Sequence, residues 1–146
     1  MPALPHAGVE EDRRMRSIGS RAVVVIAVLG LGLAGGVWAQ TPWPVPESEK
    51  GKKSPIAASP KVVEQGQKVA QVNCVSCHGK AGKVDGVAAV ALNPKPADWT
   101  SKRVQDETDG ELFWRISTGR GAMPGWRHLP ENDRWALVQY IRSFKK

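Results

Sequence analysis

The sequence predicts an all-α fold in which three main helices are joined by long loops. Three segments carry apolar residues at helical spacing and begin with residues suited to a helix N-terminus. The stretches between them show no strong period and are rich in glycine and proline, which total 15 and 11 of the 146 residues. Because the domain is short and has few apolar residues, we expect something other than side chains to complete its core.

The composition excludes several classes of protein. Hydrophobic residues make up 41% of the chain and charged residues 24%, which excludes a collagen-like, wholly disordered or polytopic membrane protein. Two cysteines exclude a disulfide-dense scaffold and are too few for a four-cysteine metal site. The formal net charge of +7 favours acidic partners, although charge alone leaves nucleic acid and membrane surfaces open.

Residues 1–39 have the features of an export segment. Arginines at positions 13, 14, 16 and 21 precede the uncharged residues 22–37, and Val37-Trp38-Ala39 resembles a signal-peptide cleavage site. Residues 22–39 are also just long enough to span a bilayer as an uncleaved anchor. In both cases the following domain is expected outside the inner membrane, because the basic residues stay on the inner side.

Residues 40–60 are predicted to form a proline-rich linker. Prolines at positions 42, 44, 46, 55 and 60 argue against regular structure, and small and charged residues fill most of the rest. Such a segment would give an anchored domain reach, or would form an unstructured N-terminus. Residues 61–146 are predicted to form the folded domain.

The three predicted helices have recognisable ends. Ser59-Pro60 supplies an N-cap and a first-turn proline to the first helix. Thr108 and Glu111 fit a capping box at the second helix, Gly119 suits its end, and the third helix begins near Pro130. The predicted buried faces consist of Val62, Gly66, Val69 and Ala70 in the first helix, Leu112, Phe113 and Ile116 in the second, and Leu137, Tyr140, Ile141 and Phe144 in the third.

The only two cysteines of the chain lie three positions apart and precede a histidine, in Cys74-Val75-Ser76-Cys77-His78. This pattern is the attachment signature of c-type haem, because two thiols on one turn can bond to the two vinyl groups and the adjacent imidazole can bind the iron. A thioredoxin-like pair would require a βαβ context, a zinc site four ligands, and a disulfide would give His78 no role. We therefore predict one haem c, attached through Cys74 and Cys77 and ligated by His78.

The second axial ligand is predicted by elimination. After residue 39 the sequence holds one methionine, Met123, and one histidine besides His78, which is His128. Met123 lies between Gly121 and Gly125 in a shaped loop that could present its thioether to the iron. We predict Met123 as the ligand. The alternatives are core packing by Met123 and ligation by His128, which lies just before the third helix.

Several features of the chain match one known family. They are Gly66, the sequence Cys74-x-x-Cys77-His78-Gly79, Met123-Pro124, a terminal helix with Trp135 and Tyr140, and the segments 93–99 and 109–114. Together they resemble class I c-type cytochromes of the bacterial monohaem kind, with His and Met ligands. The resemblance covers about residues 62–144 and implies a cytochrome c fold wrapped around one covalent haem.

The resemblance also implies roles for single residues. Gly66 matches the glycine at which the first helix crosses the last, and Tyr140 matches the aromatic residue packed against that crossing. In such proteins a proline carbonyl usually accepts a hydrogen bond from the other ring nitrogen of the ligand histidine; Pro94, or else Pro96, matches it. Leu129-Pro130 departs from the pattern, since Ser or Thr often caps the last helix.

The predicted function is one-electron transfer in the periplasm, because an iron held by His and Met has no open position. Apolar side chains around the haem would exclude water and raise its potential. The predicted surround consists of Val69, Leu92, Trp99, Leu112, Ile116 and Trp126. The alternatives are a tethered cytochrome c subunit of a larger respiratory oxidoreductase, and a haem enzyme or sensor with a displaceable Met123.

The predicted partners are redox proteins with acidic docking surfaces, and we expect no nucleic-acid partner. Basic residues in loops near the haem-binding sequences could steer such docking, or could belong to an evenly solvated surface. These residues are Lys80, Lys83, Lys95, Lys102, Arg103, Arg120 and Arg127.

Overall fold

The computed structural model describes residues 43–146, and within this range the chain forms helices and loops without a strand. The α-helices are α1 (Glu47–Lys50), α2 (Pro60–Asn73), α3 (Val75–His78), α4 (Lys102–Gln105), α5 (Asp109–Thr118) and α6 (Glu131–Arg142), with a 3-10 helix at Ala89–Ala91. The all-α prediction is confirmed, and α2, α5 and α6 are the three predicted helices.

The predictions for residues 1–39 lie outside the described residues. The chain separates into two compact units with a boundary between residues 41 and 42, and the described residues 43–146 all belong to the second unit. Within the described unit, no helix is both long enough and apolar enough to cross a bilayer.

The predicted helix ends are present. The Ser59 side chain accepts a hydrogen bond from the Val62 amide at 3.3 Å at the start of α2. Thr108 and Glu111 form a capping box at the start of α5, with hydrogen bonds of 3.2 and 2.7 Å. Helix α6 starts after Pro130 without a side-chain cap. Acidic residues in its first turn interact favourably with the positive end of the helix dipole.

Helices α2 and α6 cross at Gly66. A β-carbon on Gly66 would lie 2.0 Å from the Ala136 carbonyl oxygen and 2.8 Å from the Tyr140 β-carbon, so the two backbones touch there. Beside the crossing, the Gln65 amide donates to the Asp133 carboxylate at 3.1 Å. The predicted roles of Gly66 and Tyr140 are therefore confirmed in geometry, because only a residue without a side chain admits this approach.

The core lies between α2, α5 and α6. Phe113 and Trp135 stack with ring centroids 4.0 Å apart, and Leu137 and Val138 are almost wholly buried. Of the predicted buried faces, Val62 and Phe144 are half-buried and the other residues are buried. The helical spacing of apolar residues in the sequence therefore predicted which side of each helix is buried.

Residues 43–53 differ from the predicted linker and are here called the N-terminal strap. Val45 is buried, Glu47–Lys50 form helix α1, and the Lys50 carbonyl accepts a hydrogen bond from Thr108 at 2.8 Å. The Glu49 carbonyl oxygen lies where a side chain on Gly110 would otherwise be. The expectation that residues 40–60 lack regular structure is therefore wrong for 47–50, because α5 offers this segment an apolar contact and hydrogen-bond donors.

Candidate functional site

Cys74, Cys77 and His78 lie on one helical turn. Cys74 ends α2, with its amide donating to the Ala70 carbonyl at 2.8 Å, and its own carbonyl accepts from the amides of Cys77 and His78 at 3.1 and 2.9 Å. Residues three apart on such a turn face the same side, so both thiols are presented together. Both cysteines are free and half-buried, and burial raises the pKa of the Cys74 thiol to about 11.

The imidazole of His78 is held on two sides. Its side chain is buried, Nδ1 donates to the carbonyl of Ala97 at 3.0 Å, and its ring stacks on Trp99 with centroids 4.7 Å apart. Burial lowers the pKa of His78, while the bond to Ala97 acts in the opposite direction. The geometry therefore favours a neutral imidazole with its proton on Nδ1, which is the form that can bind a metal through Nε2.

The acceptor for His78 corrects the sequence prediction. Pro94 and Pro96 were expected to supply the carbonyl, whereas Ala97, one residue further on, supplies it. The path of the loop decides this, because the amide of Trp99 is fixed to the Gly82 carbonyl at 2.8 Å. No residue pattern marks which carbonyl of such a loop faces the imidazole, so the sequence could give the segment but not the residue.

Trp99 is itself tied to the helical core by Gln105. The Gln105 side-chain amide donates to the Trp99 carbonyl at 2.6 Å and to the Ile141 carbonyl at 2.9 Å. The indole also lies 6.1 Å from the Tyr140 ring in an edge-on arrangement. Gln105 was not among the predicted site residues, because a single buried glutamine has no sequence signal.

Met123 lies on a separate loop between α5 and α6. Gly119, with a positive φ of 64°, ends α5, and the loop returns through a hydrogen bond of 3.0 Å from the Trp126 amide to the Ile116 carbonyl. Within the loop, Met123 pairs with Arg120 through two backbone hydrogen bonds of 2.8 and 3.0 Å. The Met123 side chain is half-buried, so it belongs neither to the core nor to the open surface.

The remaining predicted site residues divide by burial. Four of them are buried, namely Val69, Trp99, Leu112 and Ile116, and two, Leu92 and Trp126, are half-buried. The other candidate ligand, His128, is exposed, and its ring centroid lies 5.4 Å from that of Trp126. The four buried side chains lie in one hydrophobic cluster that Cys74 and Trp126 adjoin. Apart from Leu92, the residues of the predicted apolar surround therefore lie in or against the cluster that Cys74 adjoins.

The chemistry of these donors fits a haem c. Two thiols on one turn suit covalent attachment, and Nε2 of His78 makes no hydrogen bond within residues 43–146 while Nδ1 is engaged. The adjoining cluster is apolar, as a porphyrin requires. The residues present therefore match the cofactor that the sequence motif implies.

Comparisons with known proteins agree with this geometry. The family model described as cytochrome c oxidase, cbb3-type, subunit III matches residues 61–141. A chain of the reducing HAO-like protein complex of Kuenenia stuttgartiensis has a similar fold, with a TM-score of 0.56 and 24% identity. That match covers 73% of this chain and 53% of the other, so this chain spans about half the length of that solved chain. No curated protein matches.

The family match includes the Cys-x-x-Cys-His turn, the Ala97 loop, the Met123 loop and most of α6. The resemblance to c-type cytochromes and the cytochrome c fold are therefore confirmed, and electron transfer is the function that the family supports. The chain belongs to the cbb3-type cytochrome c oxidase subunit III family, a family of c-type cytochromes.

Proposed function

We propose that this chain transfers single electrons through one haem c, bound covalently by Cys74 and Cys77 and ligated by His78 and Met123. The observation that carries the proposal is the state of His78: its imidazole is buried on the turn that bears both thiols, with Nδ1 bonded to Ala97. A histidine held in this way offers Nε2 to a metal in a fixed direction. When bound, the haem supplies an iron that takes up and releases one electron.

The residues of the chain would make this iron a carrier and not a catalyst. His78 and Met123 would both bind the iron, which leaves oxygen or peroxide no ready place to bind. The apolar cluster around Trp99, Leu112 and Ile116 would exclude water and favour the ferrous state. No proton-transferring group is required at the iron for this role.

Holoprotein produced with a haem-attachment system tests the proposal. We expect a haem stain that survives denaturing electrophoresis, a mass increase of one haem per chain, and a reversible one-electron titration. A chain that holds no haem under these conditions, or loses it on denaturation, contradicts covalent attachment. Tight binding of cyanide or carbon monoxide by the unmodified protein would instead favour a haem enzyme or sensor with a displaceable Met123.

A second candidate is a fixed subunit of a larger respiratory oxidoreductase. The matching family is described as an oxidase subunit and the solved relative belongs to a protein complex, which supports this reading. Fractionation of cells, with the mass of the mature N-terminus, distinguishes the two. A periplasmic holoprotein that begins near Gln40 supports a free carrier, whereas a membrane-bound full-length chain that copurifies with other redox subunits supports the tethered form.

An apolar surface beside the cysteine-bearing turn suits a transient redox partner. Val72, Val87 and Val90 are 84%, 86% and 81% exposed. The segment with Val87 packs against the turn, because the Ala88 amide donates to the Ser76 carbonyl at 2.8 Å. Contiguous exposed apolar residues mark interaction surfaces, and we propose that these three valines belong to one, since short-lived electron-transfer contacts are small.

The basic residues that the sequence indicates for docking are of two kinds. Lys102 pairs with Asp106, Arg103 lies 4.0 Å from Glu107, and Lys95 donates to two backbone carbonyls. Within residues 43–146, by contrast, Lys80 and Arg127 form no ion pair, and Lys83 has only a Coulombic interaction with Asp98, whose pKa it helps to lower. We propose that the second group steers an acidic partner, since paired charges contribute less to the outward field.

Salt dependence of electron transfer tests this steering. Replacing Lys80 and Lys83 by Gln should flatten the fall of the transfer rate with ionic strength, with little change in haem potential. Lys102→Gln combined with Arg103→Gln is the matched control, because it also removes two charges, both from paired positions, and should change the slope less. Equal slopes for all variants would remove the steering proposal without affecting the electron-transfer role.

A further inference from the structure

The N-terminal strap reaches the loop that carries Met123. The guanidinium carbon of Arg120 lies 5.9 Å from the centroid of the Trp43 ring. Arg120 is in turn joined to Met123 by the two backbone hydrogen bonds of their turn. One side-chain contact therefore connects the start of the described chain to the predicted iron ligand.

The position of Trp43 is fixed by α5 and not by the loop. Its carbonyl accepts a hydrogen bond from Arg115 at 2.8 Å, and the Arg115 guanidinium lies 4.9 Å from its ring centroid. The Trp114 ring lies 5.9 Å away, and Arg115 is held by Glu107 at 2.8 Å. Trp43 thus gives Arg120 a stationary surface that is anchored on a helix.

The loop is packed at its ends and open at its tip: a β-carbon on Gly119 would lie 2.5 Å from the Met123 carbonyl oxygen, whereas one on Gly121 would have nothing within 4 Å. Gly119 and Gly121 both have positive φ, and neither has a side chain to pack. Met123 is only half-buried, so burial alone does not hold its side chain in one place. A contact on the Arg120 side chain therefore adds a restraint at the open tip of the Arg120–Met123 turn, where the backbone packing at Gly119 does not reach.

We propose that Trp43 is a positioning residue for Met123, acting through Arg120 to hold the Arg120–Met123 turn against the end of α5. The inference rests on the proposed function, in which Met123 is an axial ligand. A cation over an aromatic ring contributes a modest free energy, which corresponds to about a two- to fivefold change in an equilibrium. Without Trp43, Met123 leaves the iron more often and external ligands bind more readily.

Imidazole binding to the ferric holoprotein measures this effect. We expect Trp43→Leu, which keeps an apolar contact with Trp114, to bind imidazole about two- to fivefold more tightly than the unmodified protein. The weak near-infrared band of Met-ligated iron should vanish at a lower temperature than the helical circular dichroism. Val45→Ala is the control, because it weakens the buried strap without removing the contact with Arg120.

The outcomes separate positioning from general stability. Trp43→Phe should restore the unmodified imidazole affinity, and Arg120→Gln should raise the affinity without adding to Trp43→Leu in a double-mutant cycle. Additive effects, or equal tightening in Val45→Ala, would overturn the proposal. Met123→Ala distinguishes failure of the ligand assignment from failure of the positioning inference. If this variant keeps the near-infrared band, Met123 is not a ligand, and both the assignment and the inference are overturned. Loss of the band in Met123→Ala with an unchanged Trp43→Leu overturns the inference alone.

Discussion

The turn that carries Cys74, Cys77 and His78 and the loop that carries Met123 are held in place by different means. His78 is buried, bonded to Ala97 and stacked on Trp99, and its turn continues directly from α2. Met123 is half-buried on a glycine-containing loop, where its backbone pairs with Arg120 and packs against Gly119. The comparison teaches that the histidine side is held by contacts of a buried side chain, whereas the methionine side is held by the backbone of its loop.

The largest expected effect is loss of the cofactor from the histidine side. Replacing Cys74 and Cys77 together by Ala should abolish covalent haem, because the thioether bonds have no other origin in a chain with two cysteines. Haem staining after denaturing electrophoresis measures this. Staining that persists in the double variant would contradict the attachment site.

Met123→Ala should act on the other side of the site and leave the covalent haem in place. We expect a high-spin ferric spectrum, a lower reduction potential and new binding of small ligands, because one axial position is opened. Optical spectra and a redox titration measure these changes. His128→Gln is the control and should change none of them; a low-spin spectrum that Met123→Ala preserves and His128→Gln abolishes would identify His128 as the ligand.

Gly66→Ala should weaken the support behind the histidine side. The added β-carbon would lie 2.0 Å from the Ala136 carbonyl oxygen, so α2 and α6 must separate. Overpacking of this kind costs about 1–3 kcal/mol of unfolding free energy. Thermal unfolding of the holoprotein measures it, with Gly51→Ala as the control because nothing lies within 4 Å of a β-carbon there. Equal stability of both variants would mean that the crossing is looser than described.

The smallest expected effect concerns Val84, beside the histidine. Val84 has a positive φ of 65°, although it is β-branched, and its amide donates to the His78 carbonyl at 3.0 Å. Val84→Gly should raise the unfolding free energy by about 0.5 kcal/mol, since relief of the backbone strain exceeds the added freedom of the unfolded chain. Val87→Gly, without that φ, should lower it. A destabilised Val84→Gly would show that the valine side chain outweighs the strain.

The sequence predicted the parts of this molecule that depend on local patterns. The ends of α2 and α5, the buried faces of α5 and α6, and the Cys-x-x-Cys-His turn all follow from residues close together in the chain. The roles of Gly66 and Tyr140 came from a family resemblance, because nothing local indicates which helices cross. The ligand assignments of His78 and Met123 remain predictions.

The sequence could not predict contacts that depend on the path of the loops. Ala97 supplies a carbonyl, which every residue has, so only the fold distinguishes it from Pro94. The docking of Trp43 and Val45 was hidden among prolines that show no period. In both cases the stabilising group is a partner far away in sequence, about which the local residues carry no information.

The crossing of α2 and α6 has a consequence for the order of events as the chain is made. Gln65 and Asp133, which meet beside it, are 68 positions apart, so α6 is synthesised well after α2 and the turn that bears both thiols. Contacts between segments so far apart form late, because a long intervening chain must first be closed into a loop. We expect haem attachment at Cys74 and Cys77 to fall within that interval, since Cys74 adjoins the core cluster that α6 completes when it packs.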